Sequence, residues 1–212
     1  MYIKEMITAV LIGSATILPT ANGVIMELLT NGDFETGDFT GWELGINGIQ
    51  TIENGAARIS NSVIASPSTI RQNELHMGLL TPGQEVTVSF DYRGSVGIGA
   101  VVIAHIYSVV EGGGISNTKL LDIVFPHADP DVWSTHTQTI TLGDDVSGGF
   151  SFQLEATTGT HLESFADVYF DNISVMGNVI HEPTSVFLIL SGGTILTLMR
   201  RKKNNIIVHK VD

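Results

Sequence analysis

The sequence predicts an all-β chain, an antiparallel β-sandwich of the jelly-roll kind, flanked by an apolar segment at each end. Three observations predict it. Apolar residues between positions 24 and 178 recur on period two, Gly, Asn, Asp and Pro punctuate the runs, and no helical stripe exceeds two turns. Period two sends alternate side chains to opposite faces, so each run is a strand with one face toward the core.

In chain order, strands are expected at 24–29, 49–52, 56–59, 75–80, 84–92, 96–110, 118–124, 133–142, 150–154 and 167–173. The clearest is 84–92, where Val86, Val88 and Phe90 share one face and Glu85, Thr87, Ser89 and Asp91 the other. The run 96–110 is longer and mostly apolar, which predicts a central strand covered on both sides. No internal repeat and no linker divides the region, so it is read as one domain over 24–178. Trp42, which follows a turn, Trp133, which opens an alternating run, and Phe34 and Phe39 are expected to be core anchors. Tyr92, Tyr107 and Tyr169 are amphipathic and suited to lining a concave sheet face.

The two ends read as addresses. Residues 1–23 hold Lys4, an apolar run to Leu18, then Pro19 and small residues, the layout of a cleaved export leader with a cut after Ala21 or Gly23. At the other end, 184–199 is a mostly apolar stretch that spans about 24 Å as a helix, within reach of a ~30 Å hydrocarbon core. Arg200, Arg201, Lys202 and Lys203 follow it. They orient such a span with 205–212 in the cytoplasm and the domain outside.

Composition narrows the function. Between 24 and 183 four bases (Arg58, Arg71, Arg93 and Lys119) face 20 acids, a surface that repels a phosphate backbone and excludes nucleic-acid binding. The absence of cysteine removes disulfides, thiolate zinc sites and cysteine nucleophiles. The seven histidines show no metal-ligand spacing, and no Gly-x-Ser-x-Gly elbow is present. Gly112-Gly113-Gly114 lacks the following Lys and helix of a phosphate cradle. A non-enzymatic protein is expected. A hard cation is best held by six to eight oxygens, and the acidic turn at 31–35 offers carboxylates and carbonyls together. The same carboxylates could instead be exposed turn residues or cap backbone amides.

Two resemblances sharpen this. His181-Glu182-Pro183-Thr184, the apolar stretch and the basic cluster resemble the PEP-CTERM sorting signal of Gram-negative, exopolysaccharide-producing bacteria, with the region 179–204 as the signal. Glu182, Pro183 and Thr184 match its core; His181 replaces the usual first proline, and nine residues extend beyond the bases. The resemblance implies an exosortase partner that cuts near the motif, a membrane-held intermediate, and release to the outer surface or matrix. Asn31-Gly32-Asp33-Phe34-Glu35, Gly37 and Gly41-Trp42, with the closing Asp171-Asn172-Ile173-Ser174, are similar to the first and last strands of CenC-type carbohydrate-binding modules, which are galactose-binding-like jelly rolls. That likeness implies a structural calcium where the chain ends meet, with Glu35 and Asp171 as side-chain ligands and a carbonyl near Asp33. It also implies binding or organisation of extracellular polysaccharide. The alternatives are a structural matrix protein without a glycan site and, more remotely, a small polysaccharide-degrading enzyme.

Overall fold

A computed structural model describes residues 23–121 and 130–180. They form two antiparallel sheets packed face to face, and no helix occurs among the described residues. The strands are β1 (Gly23–Glu27), β2 (Glu43–Leu44), β3 (Ile49–Glu53), β4 (Ala56–Asn61), β5 (Pro67–Leu75), β6 (Glu85–Val96), β7 (Val101–Val110), β8 (Gly114–Leu121), β9 (Ser134–Thr141), β10 (Phe150–Thr157) and β11 (Ala166–Ile180). One sheet runs β3-β4-β11-β6-β9, with β1 also paired to β11; the other runs β2-β5-β10-β7-β8. The sorting motif Glu182, Pro183 and Thr184, the stretch 184–199, the cluster Arg200–Lys203 and nearly all of the leader lie outside the described residues, as do positions 122–124 of the expected strand 118–124.

The alternating residues make the core. Val86, Val88 and Phe90 of β6, Val102, Ala104 and Ile106 of β7, and Phe150, Phe152 and Leu154 of β10 are all buried. Their faces meet between the sheets, where apolar area leaves water at about 25 cal/mol per Å². β11 shows how one residue redirects a strand. Its buried positions are Ala166, Val168 and Phe170, then Ile173, Val175 and Val179. The parity changes because a bulge falls between Asp171 and Ser174, where Asn172 adopts φ 50°. An extra residue on one strand exchanges its faces, so the bulge keeps both halves of a 15-residue strand apolar inward.

Several boundaries differ from the sequence reading. The expected strand 75–80 is instead the end of β5 followed by a turn, and β5 occupies 67–75. β5 was hidden because its inward positions are Ser68, Ile70 and Gln72, two of them polar. Gln72 is satisfied there: its Oε1 accepts from the Thr30 amide at 3.2 Å and its Nε2 donates to the Thr30 carbonyl at 2.6 Å. The run 96–110 is two pieces, the end of β6 and β7, joined by a turn at 97–100. β7 is covered on one face only; Ile103, His105 and Tyr107 face outward and are only partly buried. At the ends, Gly23 pairs with Ile180 in β1 and Val179 is buried, so the sheet extends past 24–178 on both sides.

Candidate functional site

The opening motif folds into a plug against the bulge of β11. Phe34 is fully buried and its ring lies 5.5 Å from that of Trp42 and 6.0 Å from that of Phe39. The Trp42 ring reaches Phe152 of the opposite sheet at 6.2 Å, and its Nε1 donates to the Asn31 carbonyl at 3.0 Å. Gly32 is required by closeness: a Cβ there would stand 1.9 Å from the Ile173 carbonyl oxygen, while the Ile173 amide donates to the Gly32 carbonyl at 2.9 Å. Trp42, Phe34 and Phe39 are thus core or core-packed as expected. Trp133 is not a core anchor: it is 41 % exposed, because β9 begins one residue later and leaves its ring outside the sandwich.

At this junction Asp33, Glu35 and Asp171 are electrostatic neighbours. The Asp171 carboxyl is pushed above the ordinary aspartate range, first by burial and then by the charges of Asp91, Glu35 and Asp33; the hydrogen bond from the Asn172 amide opposes this. None of these four carboxylates forms an ion pair with a base among the described residues. Equally, among the described residues no three acidic or histidine side chains gather tightly enough to hold a metal by themselves. The carboxylate that joins first strand to last is one the sequence reading passed over. Glu27 Oε1 accepts from the amides of Leu28, Leu29 and Val175 at 2.9–3.0 Å, and Oε2 accepts from the Ser174 hydroxyl at 2.5 Å. It is a carboxylate capping backbone amides.

The second candidate lies on the outer face of the five-stranded sheet. Cross-strand register aligns Glu43 of β2, Arg71 of β5, Gln153 of β10 and His105 of β7 in one transverse row. Ser151 and Tyr107 are paired in the adjoining row. They border a groove of about 550 Å³ lined by Glu43, Arg71, Asn73, Tyr107, Ser151 and Gln153 among others. Its polar groups are held by one another: Arg71 Nε donates to Glu43 Oε2 at 3.1 Å, and Asn73 Nδ2 donates to the same oxygen at 2.7 Å. Gln153 Nε2 donates to Glu155 at 3.0 Å. The His105 and Tyr107 rings stack at 5.5 Å and 7°. His105 Nε2 is 3.5 Å from Glu155 Oε2, a contact too long and poorly directed to satisfy it, and both ring nitrogens are buried without a hydrogen-bond partner. Burial holds the His105 imidazole below its usual range despite Glu155, and burial followed by Glu155 raises the Tyr107 phenol. The groove therefore presents the protonated Tyr107 phenol, backed by the buried His105 ring, together with the amides of Asn73 and Gln153. Of the three candidate tyrosines only Tyr107 is here; Tyr92 packs against the core from β6, and Tyr169 lies on the other sheet.

No family model and no curated protein matches the chain. Solved structures do. The chain is similar to the enzymatically active domain of tailspike protein 4 of bacteriophage CBA120 at 12 % identity and TM-score 0.52, covering 73 % of this chain and 21 % of that one. It is similar to a promiscuous carbohydrate-binding module of the β-sandwich superfamily at 15 % identity and TM-score 0.51, covering 68 % and 60 %. It is also similar to the tripod of the baseplate of bacteriophage Tuc2009 at 19 % identity and TM-score 0.50, covering 76 % and 58 %. This chain thus spans only a fifth to three fifths of those proteins, and at such identities the shared property is the fold, an antiparallel β-sandwich.

Proposed function

We propose that this protein is an exported, non-catalytic glycan-binding protein that uses the open face of its five-stranded sheet to hold a neutral polysaccharide. The groove carries this reading: Tyr107 supplies a ring against which the apolar C–H face of a sugar can pack. Asn73, Ser151 and Gln153 supply hydrogen-bonding groups spaced by the strands. A structural matrix protein needs no such cluster. Neutrality follows from charge, since Glu43, Glu74 and Glu155 lie in or beside the groove with Arg71, which Glu43 already engages. The architecture shared with a carbohydrate-binding module supports the reading.

The leader 1–23 exports the domain, and an exosortase acts at Glu182-Pro183-Thr184 after the bases Arg200–Lys203 have held the tail at the membrane, placing the product on the outer surface or in the matrix. We propose calcium as a structural ion at the chain-end junction: Glu35 and Asp171, which have no basic partner among the described residues, would hold it with a backbone carbonyl near Asp33. It would supply only charge neutralisation and a tie between chain ends.

Affinity electrophoresis tests the glycan step. The full-length chain in detergent is run through gels containing soluble β-glucan, xylan or galactomannan. Retardation by at least one of them, abolished by Tyr107→Ala, is expected. Free migration in all three gels contradicts the reading.

A further inference from the structure

The opposite face carries a second, chemically different row. Register across the six-stranded sheet aligns Thr51 of β3, Arg58 of β4, Tyr169 of β11 and Arg93 of β6, and Trp133 lies beyond Arg93 at the start of β9. Arg93 Cζ sits 4.6 Å from the Tyr169 ring centre and 5.0 Å from that of Trp133; Arg58 Cζ sits 5.5 Å from Tyr169. Guanidinium and aromatic groups therefore alternate across β4, β11 and β6, at intervals of about 4.8 Å set by the sheet, and end at Trp133 just before β9.

The two arginines differ. Arg58 is engaged by Glu53 at 2.8 Å and by Asp167 at 2.7 Å. Among the described residues Arg93 forms no ion pair: its Nη1 donates to the Pro130 carbonyl at 3.4 Å, and its Nε is buried with no hydrogen-bond partner there. With 20 acids against four bases between 24 and 183, carboxylates are not scarce. A guanidinium serving only to brace the sheet would be expected to have one, as Arg58 has. Trp133 beside it is 41 % exposed and so accessible to a ligand.

We propose that Trp133, Arg93 and Tyr169 form a second saccharide site, selective for a carboxylate-bearing sugar. The C–H face of the ring packs on the exposed indole, and the sugar carboxylate supplies an anion to Arg93, which has none among the described residues, in the forked geometry a guanidinium favours. The net charge of the domain opposes an anionic ligand at long range, but at 0.15 M salt that field decays within about 8 Å, whereas the Arg93 contact acts at hydrogen-bond distance. The site is independent of the groove, and the two faces would let one domain bridge unlike chains.

Calorimetric titration of the full-length chain with tetragalacturonate at 0.15 M salt tests this, with cellotetraose and tetraglutamate as comparators. Tetragalacturonate is expected to bind, about tenfold or more weaker in Arg93→Gln and unchanged in Tyr107→Ala, consistent with a charge-assisted hydrogen bond of about 1.5–3 kcal/mol. Trp133→Phe should weaken it less. Absence of binding overturns the proposal, as does affinity indifferent to Arg93→Gln in a variant with an unchanged melting midpoint. Should Arg93→Gln not fold, Arg93→Lys, which keeps the charge and loses the fork, must weaken tetragalacturonate binding; an unchanged affinity overturns the proposal. Loss of tetragalacturonate binding in Tyr107→Ala would move the ligand to the groove, and equal affinity for tetraglutamate would remove the sugar from the assignment. Failure of the groove shows separately, as indifference of neutral-glycan binding to Tyr107→Ala.

Discussion

Asp171 is the residue whose environment is least comfortable. Burial and three neighbouring carboxylates raise its folded-state pKa above the unfolded value. A group raised in this way favours the fold fully below the ordinary carboxylate range, and that contribution disappears as pH rises through the folded pKa; at pH 7 the ionised form opposes folding. Removing the charge should therefore help wherever no cation is bound. Asp171→Asn is expected to raise the melting midpoint of the full-length chain in EDTA, and wild type is expected to gain stability saturably with calcium while the variant does not. A variant less stable than wild type in EDTA contradicts the charge reading. An unresponsive wild type removes the calcium proposal and leaves Glu27, through its three amides and the Ser174 hydroxyl, as the tie between chain ends.

Elements were legible where both faces of a strand obeyed the rule. β6 reads correctly because Val86, Val88 and Phe90 are both apolar and inward. β5 does not, because a buried Ser68 and a buried Gln72 break the pattern, and the partner that satisfies Gln72 lies 42 residues away. The bulge in β11 is equally silent: nothing in Asp171-Asn172-Ile173 announces that inward positions change from even to odd. The opening motif was readable as a unit, though its reason appears only with the fold, in the docking of Gly32 on the bulge. Gly32→Ala should destabilise by about 1–3 kcal/mol, the usual cost of forcing extra volume into a filled space, since the obstructing atom is a backbone carbonyl. For a domain of this size that lowers the melting midpoint by about 2–4 °C per kcal/mol. An unchanged midpoint would mean that the plug does not seat on β11.

At the scale of the molecule, the sheet topology creates what the sequence does not spell. Glu43, Arg71, Gln153 and His105 come from four strands and share no spacing, so their row exists only through register. The same holds for Arg58, Tyr169 and Arg93 on the other face, and Trp133 was misread because its strand begins one residue after it. The addresses proposed at the ends, in contrast, would be linear signals, legible without the fold. Exosortase processing predicts that mass spectrometry of the protein recovered from the outer surface finds a chain ending near Glu182-Pro183-Thr184, and that Pro183→Ala leaves the chain in the membrane with 184–212 attached. Surface protein that retains its C-terminal Asp212 contradicts that route.

The groove is the centre of the account, and the side-chain amides of Asn73 and Gln153 report on it most directly because both line it and have assignable nitrogen resonances. The full-length chain in detergent micelles would be titrated with cellohexaose, xylohexaose and mannohexaose while these resonances are followed. Saturable shifts at both amides are expected with at least one oligosaccharide, and none in Tyr107→Ala. If no oligosaccharide moves them, or if they move equally in Tyr107→Ala, the five-stranded face is not a glycan-binding surface.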